Sequence, residues 1–314
     1  MKGKWIVIFG GAGFLGSNLC GELLSKGKKI ICIDNLYTGS IANIEHHMHD
    51  KNFSFIEHDI IEPWDTEQSL ECIYNLACPA SPYHYQKNPI YTLKINFLGA
   101  INALELAEKH NIPILQASTS EIYGDPLEHP QTEQYWGNVN SIGIRSCYDE
   151  GKRVAETLFF DFNRTRATEI KVARIFNTYG PNMDIRDGRV VSNFIVQALK
   201  NEDITIYGDG SQTRSFCYVN DLIAGFISLM GTTQKITGPY NLGNPNEFTV
   251  SALAKIVIEM TQSQSKIVYL PLPSDDPVRR KPDISMAAND LNWTPHIQLE
   301  EGLLNTITYF KKIL

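Results

Sequence analysis

A buried strand that runs into three evenly spaced glycines constrains this 314-residue chain more than any other feature. Residues 4–9 read KWIVIF, which is typical of a strand buried on both faces of a sheet. Gly10, Gly13 and Gly16 follow, and a helical pattern then extends to about Lys26. Glycine allows a tight turn and a close backbone approach to a bound group, and the helix behind it presents free N–H groups. The sequence therefore predicts a strand–turn–helix unit that binds phosphate.

The first half of the chain alternates predicted strands with predicted helices. Short apolar runs indicate the strands, and longer amphipathic segments indicate the helices. The predicted strands are 29–33, 53–56, 73–76, 114–117 and 170–175, and the later helices are 89–110 and 147–166. Such alternation produces βαβ units with parallel strands. We therefore predict an α/β protein with a doubly wound parallel sheet of the Rossmann, dinucleotide-binding type.

The character of the sequence changes after about residue 177, where glycine and proline become frequent and the predicted strands become short. Strands are predicted at 204–207, 215–219 and 266–270, and helices at 189–200, 221–230, 249–261 and 299–311. We expect residues 1–176 to form the dinucleotide-binding domain, with a return segment near 212–236. Residues 177–314 are expected to form mainly a smaller α/β substrate domain.

An acidic residue, Asp34, closes the second predicted strand, about 20 residues after the glycines. A carboxylate at this place accepts hydrogen bonds from both hydroxyls of an adenosine ribose and repels a 2′-phosphate. Three spaced glycines alone are weak evidence, but the strand before them, the helix after them and the acid at this distance indicate a dinucleotide site. We expect the cofactor to be NAD rather than NADP.

Tyr148 precedes Lys152 by one helical turn, which places both side chains on one helix face. The same spacing occurs at Tyr83 and Lys87, but Tyr83 is predicted to lie in a loop, whereas Tyr148 opens a long amphipathic helix. Thr119 follows a predicted strand, at the carboxyl edge where parallel sheets bind ligands. A lysine ammonium and a cationic cofactor would both favour the phenolate of a nearby tyrosine. These residues are therefore predicted to form an acid–base site.

In this order along the chain, the motifs resemble the extended short-chain dehydrogenase/reductase family over essentially the whole sequence. The resemblance rests on the glycine turn, Asp34, Asp59, the Asn-Leu-Ala at 75–77, Thr119 and Tyr148-x-x-x-Lys152. Longer segments narrow it to the branch that decarboxylates UDP-glucuronate: 118–126, 135–137, 147–153, 173–177, 187–194, 210–214 and 280–284. It implies NAD as cofactor and a UDP-sugar as substrate.

The resemblance also implies site residues. Those implied for NAD are Gly10, Gly13, Phe14, Leu15, Gly16, Asp34, Asn35, Gly39, Asp59, Ile60, Leu76, Ala77, Tyr148 and Lys152. Those implied for catalysis are Tyr148, Lys152, Thr119, Glu121 and Arg280. Those implied for the substrate are Tyr85, Ser120, Asn177, Arg189, Tyr207, Arg214 and Arg280. No metal site is predicted, because the histidine-rich stretch 45–50 has spacing unsuited to one helix face and is interpreted as solvated surface.

The implied reaction oxidises C4 of UDP-glucuronate, releases CO2 from the resulting β-keto acid and reduces C4 again, which yields UDP-xylose. Related sugar-nucleotide 4,6-dehydratases carry Asp-Glu after the threonine, and that Asp protonates a departing hydroxyl. Here the pair is Ser120 and Glu121, so the leaving-group acid is missing and decarboxylation is favoured. Glu121 either orders the group that protonates C5 or holds the helix of Tyr148 in place.

Two other interpretations stay open at this point. A UDP-sugar 4-epimerase, or a decarboxylase that releases the UDP-4-keto-pentose, would share all of these residues. A binding module that senses NAD(H) is the alternative outside enzymes, and the intact set of Thr119, Tyr148 and Lys152 argues against it.

Composition excludes several partners. The 28 basic and 35 acidic residues leave a net charge of −7 without a basic block, so we expect no nucleic-acid partner. No apolar run reaches the length of a membrane span, which is about 20 residues. Glycines interrupt the N-terminal apolar run, so we do not expect it to be a secretion signal. The six cysteines lie far apart, which favours reduced thiols and a cytoplasmic location. The resemblance implies a homodimer that pairs helices 89–110 and 147–166.

Overall fold

The computed structural model describes residues 3–271 and 279–314, and within them the strands form one large sheet and three small ones. The strands are β1 (Trp5–Phe9), β2 (Lys29–Asp34), β3 (Phe53–Glu57), β4 (Leu70–Asn75), β5 (Ile114–Thr119), β6 (Ile170–Ile175), β7 (Thr178–Tyr179), β8 (Ile204–Tyr207), β9 (Thr213–Ser215), β10 (Cys217–Tyr218), β11 (Tyr240–Leu242), β12 (Glu247–Thr249), β13 (Ile267–Leu270) and β14 (Arg279–Arg280).

Along the chain, helices alternate with the strands of the large sheet in the first half, and further helices follow in the second half. They are α1 (Phe14–Ser25), α2 (Pro82–Lys87), α3 (Pro89–Lys94), α4 (Ala100–His110), α5 (Ser146–Arg166), α6 (Val190–Leu199), α7 (Val219–Met230), α8 (Val250–Thr261), α9 (Ser285–Leu291) and α10 (Leu299–Ile313). A π-helical turn (Ile95–Gly99) joins α3 to α4, and 3₁₀ turns span Ile41–Asn43, Glu45–His47 and Ser120–Tyr123.

The central sheet has seven parallel strands in the order β11-β6-β5-β4-β1-β2-β3. From β1 the chain moves outward through β2 to β3, and it then returns to the other side of β1 with β4 and continues outward to β6. The strand order therefore reverses between β1 and β4, and parallel sheets bind ligands beyond the carboxyl ends of strands at such a reversal. The predicted fold class is confirmed.

Buried side chains cover both faces of the central sheet, as strands with continuous apolar runs require. Ile6 and Ile8 of β1 point into a core shared with α1 and α7, whereas Val7 and Phe9 point into a core shared with α4 and α5. In the part of the chain that the structure describes, no helix has the length and apolarity needed to cross a bilayer.

Three predicted elements differ from the structure. The prediction of a loop at Tyr83 is wrong, because Pro82 occupies the first turn of α2, a position that proline favours. The single helix predicted at 89–110 contains the π-helical turn, where a Cβ on Gly99 would come within 2.7 Å of Ile60. The strand predicted at 215–219 is shared by β9 and β10, and α7 already begins at its last residue.

The second half of the chain forms small sheets, β8 with β13 and β9 with β12 and β14, flanked by α6, α8 and α10. Helix α7 lies instead against β5 and β6, and β11 extends the central sheet beyond the predicted return segment. The division into domains at residue 176 remains a prediction, and these two elements support a return of the chain to the first domain.

Candidate active site

The glycine turn connects β1 to α1 at the strand-order reversal. A Cβ on Gly16 would lie 2.1 Å from the carbonyl oxygen of Gly10, and Gly10 itself has a φ of +74°. A Cβ on Gly13 would meet protein only at 3.3 Å, and Gly13 precedes α1 at the rim of a large cavity. Gly10 and Gly16 are therefore required by the turn itself, whereas Gly13 leaves the N-terminus of α1 accessible to a ligand.

The carboxylate of Asp34 is held at the end of β2 by backbone N–H groups. Ala12 donates to it at 3.0 Å and Leu36 at 2.8 Å. Burial raises the pKa of Asp34, and these hydrogen bonds oppose that effect. A Cβ on Gly39 would lie 2.7 Å from the same carboxylate, so glycine there leaves room above Asp34. The carboxylate is thus fixed at the wall of the cavity, where a ribose could donate to it.

The cavity beside the glycine turn has a volume of about 570 Å³. Twelve of the residues predicted to bind the cofactor line it: Gly10, Gly13, Phe14, Leu15, Gly16, Asp34, Asn35, Gly39, Asp59, Ile60, Leu76 and Ala77. Sequence reasoning missed Tyr91, whose hydroxyl donates to Asp59 and accepts from Asn35 at 2.5 Å. Only the fold places α3 beside the end of β3, so no motif could have identified Tyr91.

A second cavity, of about 100 Å³, lies beyond the carboxyl end of β5 and shares Leu15, Leu76 and Arg189 with the first. Seven residues predicted for catalysis or substrate binding line this second cavity: Thr119, Ser120, Glu121, Tyr148, Lys152, Asn177 and Arg189. The two cavities therefore adjoin, and we call the pair the crevice, with the glycine turn at one end and the acid–base residues at the other.

Tyr148 is 6% exposed and shares a hydrogen bond with Thr119. The ammonium of Lys152 lies 5.8 Å from the centre of the Tyr148 ring and donates to the carbonyl oxygen of Ala117 at 2.9 Å. Burial raises the pKa of Tyr148 well above its ordinary value and lowers that of Lys152. In the protein without cofactor, burial therefore outweighs the neighbouring groups at Tyr148, and the predicted joint action of Lys152 and the cofactor on the phenolate stays a prediction.

Glu121 lies between two guanidinium groups that come from distant parts of the chain. Arg145, just before α5, donates to it at 2.6 Å, and Arg280 of β14 forms a second ion pair with it. Burial would raise the pKa of Glu121, but Arg280 and Arg145 lower it to about 2. We call Glu121, Arg145 and Arg280 the charge cluster. Sequence reasoning missed Arg145, which the fold brings to Glu121.

Four predicted substrate residues are not among the described residues that line either cavity: Tyr85, Tyr207, Arg214 and Arg280. Tyr85 is stacked beneath Tyr148, with ring centres 5.0 Å apart and planes at 6°. Arg280 pairs through its backbone with Arg214 of β9, and Tyr207 is exposed at the end of β8. Their contact with a substrate stays a prediction.

Known proteins share this arrangement. The model of the NAD dependent epimerase/dehydratase family matches residues 6–243, and the chain belongs to that family. Among its curated relatives, UDP-glucuronic acid decarboxylase 4 of Arabidopsis thaliana is 52% identical over 307 residues, which are 98% of this chain and 68% of that protein. UDP-glucuronic acid decarboxylase 1 of Danio rerio is 51% identical over 311 residues, which are 99% of this chain and 73% of that protein.

Solved structures agree with the relatives. The UDP-glucuronic acid 4-epimerase of Bacillus cereus, solved with UDP-glucuronic acid and NAD, superimposes with a TM-score of 0.88 at 25% identity, over 99% of this chain and all of that one. The predicted family resemblance and the predicted cofactor, NAD, are confirmed. The residues present fit that cofactor, because the open N-terminus of α1 suits a diphosphate and the buried Asp34 suits an adenosine ribose.

Proposed function

We propose that this chain is an NAD-dependent UDP-glucuronate decarboxylase that forms UDP-xylose. One observation separates this reaction from dehydration: Ser120 stands in place of the dehydratase acid, and the neighbouring carboxylate, Glu121, is ion-paired on both oxygens by Arg145 and Arg280. Since its pKa lies at about 2, it holds no proton for a departing hydroxyl near neutral pH. Dehydration needs such an acid, whereas loss of CO2 does not.

The cofactor end of the crevice is shaped by backbone. The glycine turn and α1 would hold the diphosphate of NAD, and Asp34 would hold the adenosine ribose. The chemistry that NAD would supply when bound there is the acceptance of a hydride from C4 of the sugar and its later return. Lys152, one turn after Tyr148, would hold the nicotinamide ribose, and its ammonium lies 5.8 Å from the centre of the Tyr148 ring.

The acid–base step belongs to Tyr148. Its hydroxyl lies in the small cavity beside Thr119, so it can take the proton of a sugar 4-hydroxyl while Thr119 hydrogen-bonds the same oxygen. Burial raises the pKa of this phenol in the protein alone, and the positive charge of a bound oxidised cofactor would favour the phenolate. Oxidation is thereby coupled to a loaded cofactor site.

The carboxylate of the substrate leaves after this oxidation. A ketone at C4 is β to the C6 carboxylate, so breaking the C5–C6 bond sends its electron pair into an enolate and releases CO2. Tyr148, protonated by then, and Thr119, which shares a hydrogen bond with it, would stabilise the oxygen anion at C4. Protonation at C5 and reduction at C4 complete UDP-xylose, and Arg189, which lines both cavities, is suited to a charged part of the substrate.

Proton NMR of the purified protein with UDP-glucuronate tests this proposal. We expect the signals of UDP-xylose and no accumulation of reduced cofactor. A 4-ketopentose with accumulated NADH would identify the decarboxylase that releases its intermediate, and a product with inverted C4 would identify an epimerase. No change in the presence of NAD would favour the sensing module.

We propose that the protein is a homodimer that pairs α3, α4 and α5 with those of a second copy. Exposed apolar side chains follow one helical stripe along α3 and the π-helical turn: Ile90, Leu93, Phe97 and Leu98. Spacing of three and four residues places them on one face, which a partner helix could cover. Light scattering should give twice the mass of the chain, and Phe97→Asp should give the mass of one chain.

We also propose that the protein is cytoplasmic. All six cysteines are free thiols in the structure, and five of them are buried. Free thiols are typical of a reducing compartment. Fractionation of the native cells with an antibody to the chain tests this location.

A further inference from the structure

A buried carboxyl next to the charge cluster has no role in the chemistry derived so far. Asp149 follows Tyr148 on α5 and is 7% exposed, and its Oδ1 atom has no hydrogen-bond partner. The hydroxyl of Tyr85, which is 1% exposed, also lacks a partner. Buried polar atoms without partners are rare in native proteins, so two of them at one site call for a functional explanation.

The surroundings of Asp149 are dominated by the charge cluster. Asp149 lies one helical turn after Arg145, to whose carbonyl oxygen its backbone N–H donates at 3.1 Å. Glu121 of the 3₁₀ turn, Arg145 and Arg280 of β14 all act on its ionisation. Glu150 on its own helix and Tyr85 on α2 also interact with it electrostatically. The π-helical turn contributes Asn96, an uncharged side chain, which packs against α5 at Gly151.

We propose that Asp149 is a positioning residue that adjusts the charge cluster to the substrate carboxylate: it is neutral while that carboxylate is bound and ionised when the carboxylate is absent. This inference rests on the proposed function, because it needs a substrate that carries a carboxylate. Burial, with the charge of Glu121 added to it, raises the pKa of Asp149 to about 7, so its proton exchanges in the range where the enzyme works.

The physical argument is a difference between two charge states. Ionised Asp149 makes the region around the charge cluster one unit more negative than neutral Asp149 does. Glu121 of the cluster lines the small cavity, so a substrate carboxylate bound in that cavity would be repelled by the extra charge, and in a buried site the repulsion is poorly screened. UDP-glucuronate should therefore bind together with a proton, whereas UDP-xylose, which lacks the carboxylate, should bind without one.

The experiment compares these two ligands by calorimetry on the NAD-loaded Tyr148→Phe protein, which binds but does not turn over. Between about pH 6 and about pH 8.5, the ratio of UDP-glucuronate affinity to UDP-xylose affinity should fall about tenfold as pH rises. The added substitution Asp149→Asn should make this ratio independent of pH and keep it at its low-pH value. The matched control, Glu150→Gln, changes the adjacent half-exposed carboxyl and should retain the fall.

Two results would overturn the inference: a ratio that does not vary with pH in the parent protein, or an unchanged fall in the Asp149→Asn protein. The first needs no variant at position 149, so it applies even if Asp149→Asn does not fold. A substrate other than UDP-glucuronate has a different signature, because UDP-glucuronate would then not bind while NAD still does. A different reaction on UDP-glucuronate would be seen in the NMR products and would leave this binding test unchanged.

Discussion

The two ends of the crevice are built in different ways. At the cofactor end, the shape comes from backbone: Gly10, Gly16 and Gly39 lie where a Cβ would collide with protein, and Asp34 is held by N–H groups. At the catalytic end, the properties come from side-chain charges that burial shifts away from their ordinary behaviour, as at Tyr148. The first end can bind a common cofactor in many enzymes, whereas the second end selects one reaction.

The largest expected effect is at the catalytic end. Tyr148→Phe removes the hydroxyl to which we assign the substrate proton in the proposed function, so kcat should fall about 10³-fold. NAD affinity should change little, because the cofactor end does not depend on this hydroxyl. Turnover is measured by CO2 release and NAD binding by fluorescence titration. Parent-level CO2 release in this variant would refute the acid–base assignment.

A glycine substitution should break the cofactor end. In Gly16→Ala the new Cβ would lie 2.1 Å from the carbonyl oxygen of Gly10, so the turn must distort. We expect the free energy of unfolding to fall by about 2 kcal/mol or more, with weaker NAD binding. Urea unfolding and NAD titration measure the two effects.

The control for that variant is Gly27→Ala. Gly27 has a φ of +74°, but a Cβ there meets nothing within 4 Å, so only the backbone strain of about 1 kcal/mol applies. NAD binding should be unchanged in the control. Equal losses of NAD affinity in both variants would show that the close approach at Gly16 is unimportant.

Glu121→Gln tests whether the charge of Glu121 at the catalytic end contributes to turnover and not to NAD binding. The substitution removes the negative charge between Arg145 and Arg280, so the segment before α5 loses its anchor. CO2 release should slow at least about tenfold, or about 1.4 kcal/mol in the barrier, with little loss of NAD affinity. Glu150→Gln, whose parent side chain pairs with Arg153 at the surface, should keep the parent rate. If Glu121→Gln also keeps that rate, Glu121 has no part in turnover.

The smallest effect is expected at Tyr91. Tyr91→Phe removes one hydroxyl that donates to Asp59 and accepts from Asn35, without changing the ring. NAD affinity should fall about fivefold, or about 1 kcal/mol, the usual value of one hydrogen bond. The kcat at saturating NAD should stay at the parent value. A changed kcat with unchanged NAD affinity would move Tyr91 from the cofactor end to the catalytic end.

Local patterns predicted much of this protein. Buried strands and amphipathic helices repeat with their own periods, so most elements could be placed within a few residues. The predicted loop at Tyr83 failed because α2 has only six residues, too few to show a period. β11, with three residues, was missed for the same reason.

The sequence alone determined the parallel sheet, the glycine turn and the cofactor. Each of these was indicated by a local pattern, formed by residues close together in the chain. Tertiary structure alone decided the electrostatics of the catalytic end. Arg280 reaches Glu121 across 159 residues, and Arg145 and Asp149 enter the site only because α5 begins beside the 3₁₀ turn. The effect of one charge on another depends on the distance between them and on their burial. The order of residues along the chain gives neither the distance nor the burial.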